Sequence, residues 1–295
     1  MTPLPSCFSL SLFRTLMAVA CAVMLAACAG VGTETPEASR DVSWASASPA
    51  NSNPNPDRNG NAEIVKWLHC AFPGKKSTHY RAVRLDGRDA VLSESDSSAS
   101  MLRQNLRVEP ANLGKVSFSW KVPKMIAGAD MTQRDSDDSP VRVVLAFEGD
   151  RSKFSAKNAM LSELALALTG EPLPYATLMY VWGTHTTPES VIVNTRTDRI
   201  RKLVIESGPG HLGRWLDYER DIRADYEKAF GEAPGALVGI AIMTDSDNTR
   251  QQAKAWYGPV ALMKKPRDAM ATTAVTAISA KASQVPEFAP PSFQD

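Results

Sequence analysis

The sequence predicts an all-β fold in the main, an antiparallel, jelly-roll-like β-sandwich with two short helices. Three observations support this prediction. Two segments alternate between apolar and polar residues, about ten short strand-like runs follow one another, and only two segments have the caps and apolar run of a helix. Many short strands with few helices are typical of sandwiches, whereas a parallel α/β sheet needs a helix between successive strands.

The clearest strand is predicted over residues 115–122, where every second residue is apolar and the others are Lys or Ser. Residues 141–147 repeat this pattern, with Arg142 and Glu148 on the opposite face. A period of two turns one face of a strand towards the core, and burying four such side chains contributes roughly 6 to 10 kcal/mol of transfer free energy. The residues expected to point inward are Val116, Phe118, Trp120, Val122, Val141, Val143, Leu145 and Phe147.

Eight further strands are predicted from short runs of β-branched, aromatic and aliphatic residues that are bounded by turn residues. Between the first two of them, Asp86-Gly87 suits a two-residue hairpin turn, because such a turn needs positive φ angles. The predicted strands cover residues 80–85, 90–95, 177–183, 190–194, 201–206, 215–220, 237–244 and 256–263.

Two helices are predicted to interrupt the strands. In the first, Asn158 is expected to cap the apolar run 159–168, which ends before Gly170. The second covers residues 221–230 and ends at Gly231. Both are too short and too few to change the fold class.

Residues 1–28 are predicted to be a signal peptide, because Arg14 precedes an apolar run that is too short for a stable membrane span. The run ends in Leu25-Ala26-Ala27-Cys28, which resembles the lipobox of bacterial lipoproteins. This resemblance implies that Cys28 becomes the lipidated first residue. It also implies the outer membrane, because Ala29 stands where an Asp would signal retention in the inner membrane. We therefore expect an exported protein that is lipid-anchored to the cell envelope and faces the periplasm.

Composition divides the remaining chain into three parts. Residues 29–60 are rich in Ser, Ala, Pro, Asn, Thr and Gly, which predicts a disordered tether. Residues 267–295 have a similar composition and are predicted to be a disordered tail. The part between them, residues 61–266, has the length of a single β-sandwich domain.

The charge balance excludes one class of partner. The chain has 33 basic and 32 acidic residues, and removal of Arg14 with the signal peptide leaves 32 of each. A nucleic-acid-binding domain would need a basic excess, so we expect no nucleic-acid partner.

A glycine-rich segment, Gly208-Pro-Gly-His-Leu-Gly213, has the spacing of a dinucleotide-binding loop. Pro209 lacks the backbone N–H that such a loop uses, and the residues that follow Gly213 have a strand pattern instead of a helix pattern. We therefore expect a solvent loop here and no cofactor.

The polar loop after the strand 237–244 contains Asp245, Asp247 and Asn248. It begins like a calcium loop, but Arg250 and Trp256 stand where such a loop has its glycine and its last glutamate. An Asx-type turn without a metal is expected, and a structural ion between strands is the alternative.

Aromatic rings beside polar groups on a sandwich face are typical of sugar-binding sites, with Trp182 and Trp215 as the stacking candidates. Core packing is the alternative for each ring. We predict a carbohydrate-binding or envelope-ligand-binding domain with an envelope glycan as the possible partner besides the membrane. The predicted binding residues are Arg142, Trp182, Arg220, Asp245, Asp247 and Asn248.

Two other function classes stay open. A hydrolase or lyase on the same scaffold would use Asp138, Glu148 or Asp245 as acid or base. Glu148 begins a segment that resembles the E-x-D-x-x-E motif of sandwich glycosidases, but Lys153 stands in place of the last acid. A structural envelope lipoprotein would bind a protein partner through a sheet edge. No catalytic residue is assigned.

Three segments carry a resemblance to a known family. Residues 180–182 (Tyr-Val-Trp), 215–231 and above all 239–249 (Gly-Ile-Ala-Ile-Met-Thr-Asp-Ser-Asp-Asn-Thr) resemble the domain of unknown function 3047 family, with a likeness over about residues 64–264. That family has no established activity, so the resemblance implies domain boundaries more than function. The strand order also looks like that of jelly-roll carbohydrate-binding modules, which is an analogy of fold only.

Overall fold

The computed structural model describes residues 67–263 and the two-residue strand β1 (Glu37–Ala38). The predicted signal peptide, residues 1–28, and the predicted tail, residues 267–295, lie outside the described residues. The predicted tether, residues 29–60, lies outside them as well, except for β1. Within residues 67–263 the strands form two curled sheets that pack face to face, which confirms the predicted β-sandwich with two α-helices.

The strands and helices agree with most of the predicted segments. Neither described helix is long and apolar enough to cross a membrane. The strands are β2 (Leu68–Ala71), β3 (His79–Leu85), β4 (Arg88–Asp96), β5 (Ala99–Val108), β6 (Lys115–Lys121), β7 (Ser139–Phe147), β8 (Ala176–Gly183), β9 (Val191–Val193), β10 (Ile200–Ser207), β11 (Trp215–Asp221), β12 (Leu237–Asp245), β13 (Gln252–Tyr257) and β14 (Ala261–Met263), and the helices are α1 (Ala156–Thr169) and α2 (Ile222–Phe230).

Within residues 67–263 the first sheet has the strand order β3-β4-β13-β6-β11, with β14 also paired to β6. The second sheet has the order β2-β5-β12-β7-β8-β10-β9. The pairs in these two sheets are antiparallel except for β8 and β10, which run parallel. The fold is therefore mainly, but not purely, antiparallel.

The core lies between the two sheets, and the predicted inward faces of β6 and β7 form its centre. All eight residues expected to point inward are buried in one continuous apolar cluster. Rings from both sheets meet there, since Phe118 of β6 stacks on Tyr180 of β8 with the ring centroids 5.4 Å apart. The register of both strands is held by this burial, because a slip by one residue would turn the apolar set outward.

The hairpin β3–β4 has the predicted two-residue turn. Leu85 pairs with Arg88, and the turn residues Asp86 and Gly87 have φ angles of 52° and 73°. Positive φ at both central positions is the geometry of a type I′ turn, whose twist matches that of the flanking strands.

Three predictions about the elements need correction. The short strand β2 and the ten-residue strand β5 were not predicted, the latter because its Arg, Gln and Asn residues break the apolar alternation. The predicted strand 256–263 is two strands, since Gly258-Pro259 ends the pairing of β13 before β14 begins. Helix α1 is capped by Ser155, whose hydroxyl accepts from the amide of Asn158, so Asn158 is a helical residue and not the cap.

The loop before β12 passes close to the end of β7, and this approach requires a glycine. A methyl group on Gly235 would lie well inside the van der Waals distance from the carbonyl oxygen of Glu148. Next to it, the amide of Glu148 donates to the carbonyl oxygen of Ala236 over 2.9 Å.

Gly235→Ala is expected to lower the free energy of unfolding by about 1 to 3 kcal/mol, because backbone must move to admit the methyl group. Gly210→Ala is the control, since a methyl group there meets no atom within 4 Å. Urea denaturation of the two variants checks the prediction. Equal stability of the Gly235 and Gly210 variants would contradict it.

Candidate functional site

A buried ionic pair occupies the end of the sandwich where β7 begins and β12 ends. Arg142 points to the outward face of the second sheet, opposite Met243 in register, and Asp245 lies two residues further along β12 on the same face. Arg142 donates from Nε to Oδ1 of Asp245 over 2.9 Å and from Nη2 to Oδ2 over 3.0 Å. The two residues are only 3% and 5% exposed, so this bidentate pair is sealed from solvent.

Lys202 of β10 and Asp137, in the loop before β7, extend the pair into a network. The Lys202 Nζ atom lies 2.6 Å from both carboxylate oxygens of Asp137. The same carboxylate accepts from Arg142 and from the Asn194 amide, each over 3.2 Å. Two buried cations thus share one carboxylate, and the network joins three strands and a loop. We call these four residues, Arg142, Asp245, Asp137 and Lys202, the ionic network.

Asp138 and Asp247 lie beside the network. Asp138 is buried and accepts from the Thr249 amide over 2.7 Å and from the Thr249 hydroxyl over 2.6 Å. Asp247 pairs with Lys75, and the amide of Asn248 donates to Asp138. Asp138, Asp245 and Asp247 each bring one carboxylate oxygen within 4.8 Å of the others, a spacing at which hard cations such as Ca²⁺ can find ligands. Each of these carboxylates already has a protein cation or N–H as its partner.

Burial controls the ionisation of the network. It raises the pKa of Asp245 to about 6, because loss of water destabilises the carboxylate more than Arg142 stabilises it. Burial and repulsion by Arg142 lower the pKa of Lys202 to about 8, against the attraction of Asp137. Burial would lower the pKa of Arg142 too, but Asp245 and Asp137 raise it above its usual value. Arg142 therefore stays charged.

The predicted binding residues do not all come together. Arg142, Asp245, Asp247 and Asn248 lie at one end of the sandwich, where the first two are sealed and the last two are half-buried. Their contacts are with the protein, so this group ties together loops at the strand ends.

Trp182 and Arg220 lie elsewhere. Trp182 is 1% exposed and its Nε1 donates to the Gly208 carbonyl oxygen over 3.0 Å, so its ring is part of the core and cannot stack on a sugar. Arg220 of β11 makes a bidentate pair with Asp225 of α2, which also accepts from the Tyr180 hydroxyl of β8. Arg220 therefore links the two sheets and α2.

The predicted acid and base candidates are separated. Asp138 and Asp245 lie where β7 begins, whereas Glu148 follows the last residue of this nine-residue strand and pairs with Arg107. At about 3.3 Å per residue, the strand places Glu148 roughly 30 Å from the other two. The pair of carboxylates that a glycosidase needs is thus not formed by Glu148 with either of them.

An aromatic surface lies on the outward face of the first sheet. The register pairs Lys121 of β6 with Trp215 of β11 and with Trp256 of β13, so Lys121 lies between the two rings. The Arg88 Cζ atom lies 5.3 Å from the Trp215 ring centroid, and the Arg88 guanidinium makes a bidentate pair with Asp217. We call these residues, Trp215, Trp256, Lys121, Arg88 and Asp217, the Trp215 face.

Trp215 is the half-buried ring of this surface, whereas Trp256 is 8% exposed. Lys121 also pairs with Asp86 of the β3–β4 turn, 2.7 Å away. Trp215 was a predicted stacking residue, whereas its neighbours on this surface were not predicted. The alternation of β6 predicts that Lys121 points outward. It does not predict that Lys121 lies beside two tryptophans, because that depends on the pairing of strands distant in the sequence.

A small cavity lies near the ionic network, where the Met131 carbonyl oxygen accepts from Lys202 over 3.2 Å. Its volume is about 200 Å³, which is less than the roughly 300 Å³ at the lower end for ligand pockets. The lining contains no Phe, Tyr or Trp and consists of Ala129, Asp130, Met131, Thr132, Thr184, His185 and Thr186.

The described domain is a two-sheet β-sandwich with a buried ionic network at one end and an aromatic surface on one outward face. The chain belongs to the family described as protein of unknown function DUF3047, whose profile matches residues 65–261. This confirms the resemblance found in three segments of the sequence.

Other comparisons are distant. No curated protein matches the chain. Among solved structures, the chain is similar to the xyloglucanase domain of NopAA, a type three effector from Sinorhizobium fredii, in complex with cellobiose. The identity is 10% and the TM-score 0.36, with 68% of this chain and 93% of that chain covered. A similarity at this level carries no information about activity.

Arg142→Met is expected to lower the free energy of unfolding by about 3 to 5 kcal/mol, because it leaves Asp245 buried without its cation. Arg88→Met is the matched control, since Arg88 also makes a bidentate pair, but with Asp217, whose side chain is 63% exposed. Loss of that surface pair should cost only about 0 to 1 kcal/mol. Denaturant titration of both variants at pH 7 measures the difference.

The decrease in the free energy of unfolding caused by Arg142→Met should also depend on pH. Without Arg142, the folded-state pKa of Asp245 rises further above its unfolded value, so the folded variant binds a proton that the unfolded chain does not. The variant therefore regains stability as the pH falls from 8 to 6. Removal of Arg142 also raises the pKa of Lys202, which acts in the same direction. A loss that is constant between pH 6 and 8 would contradict this account of the network.

Proposed function

We propose that this protein is an exported lipoprotein of the cell envelope whose β-sandwich binds a glycan or a similar envelope ligand. In this proposal the ligand lies on the Trp215 face, the membrane anchor is the lipid on Cys28, and the domain faces the periplasm from the outer membrane. The observation that carries the binding function is the half-buried Trp215 ring with two charged pairs beside it, Arg88–Asp217 and Lys121–Asp86.

The sequence supports the location. The segment Leu25-Ala26-Ala27-Cys28 follows an apolar run and precedes a polar stretch rich in Ser, Pro and Asn. Several acyl chains on one residue hold a protein stably at a membrane, whereas one chain binds only marginally.

The geometry of the Trp215 face supports a sugar ligand better than the predicted group around Trp182 did. A ring that is partly accessible offers an apolar surface for a sugar ring, and the flanking carboxylates and cations can hydrogen-bond to hydroxyl groups. Two strands, β13 and β6, lie between β4 and β11 in the sheet order. Arg88 of β4 nevertheless contacts Asp217 of β11, so the sheet is curled around this surface.

The placement of the carboxylates favours a binding protein over a hydrolase or a lyase. Asp138 and Asp245 are buried with their own partners, and Glu148 lies at the other end of β7. An acid–base pair has to reach the same substrate bond from one cleft.

Trp215→Ala is expected to lower binding to peptidoglycan or to a matching array glycan by about tenfold, since one well-packed aromatic ring contributes roughly 1.5 kcal/mol or more. Phe154→Ala is the control, because Phe154 is a half-buried ring that stacks on Tyr175 outside this surface. Pulldown with the mature chain, accompanied by melting curves, gives the result. Retained binding by a folded Trp215→Ala variant would remove the proposed surface.

Cys28→Ser is expected to move the protein out of the membrane fraction, because the hydroxyl cannot form the thioether that carries the lipid. Cell fractionation measures the loss from the membrane, and metabolic labelling with a fatty acid measures the loss of the lipid. Cys70→Ser is the matched control, since Cys70 lies in the folded domain and should leave both readouts unchanged. A Cys28→Ser variant that still incorporates the fatty acid would contradict the lipid anchor.

A further inference from the structure

Helix α1 turns its apolar side to solvent. Within residues 67–263, seven large apolar side chains are exposed, and more than half of them lie on this helix. Met160 is 63% exposed, Leu164 52%, Leu166 42% and Leu168 61%. Exposed apolar residues on ordinary protein surfaces are scattered singly, whereas these four lie together on one short helix.

The two buried residues of α1 are both polar, and Leu161 and Ala165 beside them are half-buried. Asn158 is buried, donates to Asp198 over 2.7 Å and accepts from the Thr197 hydroxyl over 2.8 Å. The Ser162 hydroxyl is buried as well and accepts from Arg151 over 2.9 Å. A surface helix normally has the reverse arrangement, with apolar residues inward and polar residues outward. The helix is held by hydrogen bonds, and its apolar residues are left for another contact.

The exposed apolar residues form a broad surface. At about 100° per residue, Met160, Leu164 and Leu168 lie within roughly 80° of one another, and with Leu166 on the far flank the arc reaches roughly 200° around the helix axis. The seam of a two-helix contact is narrower, whereas a helix that lies in a lipid interface inserts a wide face. We call these four residues the α1 apolar face.

The charges beside this face suit a phosphate-rich surface. Lys157 falls within the arc, between Leu164 and Leu168, and Lys153 lies in the turn before the helix. Long lysine side chains can place their apolar stems on lipid and their ammonium groups at the phosphates. Glu163 is the one acidic residue within the same arc, and it lies roughly 120° around the helix from Lys157.

The size of the face argues against a stable protein complex. Four side chains exposed to this degree offer on the order of 400 Å², about half of the roughly 800 Å² that each partner of a stable complex buries. A lipid interface has no such minimum when a second anchor is present, because weak insertion and a lipid chain act together.

We propose that the α1 apolar face inserts shallowly into the lipid surface that anchors the chain. This inference rests on the proposed lipid anchor at Cys28. Residues 29–66 lie between Cys28 and Trp67, and even a fully extended chain of 38 residues reaches at most roughly 130 Å. The anchored domain therefore stays within reach of the bilayer, and insertion of α1 fixes which of its sides faces the lipid.

Sedimentation with vesicles tests this contact apart from the anchor. The mature chain from residue 28, with Cys28→Ser so that no lipid is attached, is mixed with vesicles of phosphatidylethanolamine and phosphatidylglycerol. At high lipid concentration, where weak insertion is detectable without the anchor, part of the chain should sediment with these vesicles, and the triple variant Met160→Ser, Leu164→Ser, Leu168→Ser should bind at least fivefold less. All three substituted side chains are exposed, so the melting temperature should not fall.

The control variant is Leu68→Ser, Val193→Ser, which removes exposed apolar side chains of β2 and β9 and should bind like the parent chain. Equal binding by the triple variant, or no sedimentation of the parent chain, would overturn the proposal. So would a dimer in light scattering that the triple variant abolishes without any vesicle binding, because the face would then be covered by a second copy. Since these chains carry no lipid, a failed vesicle assay leaves the result of the Cys28→Ser fractionation independent.

Discussion

The arrangement at the loop end of this sandwich depends on the bidentate pair between Arg142 and Asp245. Burying a guanidinium in a sheet is unfavourable unless a carboxylate of fixed position meets it, and β12 supplies this carboxylate from the neighbouring strand. Once Arg142 is buried, its remaining donors and the nearby Lys202 need a second anion, which is Asp137. The ends of β7, β10 and β12 and the loop before β7 are thus held by one electrostatic requirement.

This requirement agrees with the burial of β7 and β12, in which most residues on both faces are buried. Their inward side chains fill the apolar core, and on the outward face Arg142 of β7 and Asp245 of β12 pair with each other. A strand buried on both faces has little freedom in register, and a shift by one residue would place Arg142 in the core. Residues that looked like ligand-binding groups in the sequence are consequently the ones that fix the scaffold.

The surfaces left for function lie away from this network. The Trp215 face combines a partly accessible ring with charged pairs on the outward side of the first sheet, and the α1 apolar face lies on a helix that is held by polar contacts. In the proposed arrangement the first surface takes an envelope ligand and the second contacts the lipid. A tethered domain with both would present its ligand surface in a defined orientation to the membrane.

Local patterns in the sequence determined the fold class, the apolar faces of β6 and β7, the Asp86-Gly87 turn and the end of α2 at Gly231, because each depends on residues close in the chain. The strand β5 was missed, since its polar residues are tolerated only through pairing with β2 and β12. The position of Trp182 in the core, the pairing of Arg142 with Asp245 and the row from Trp256 through Lys121 to Trp215 were decided by tertiary structure alone. These contacts join residues more than twenty positions apart, and their geometry follows from strand order and register, which alternation within one strand does not specify.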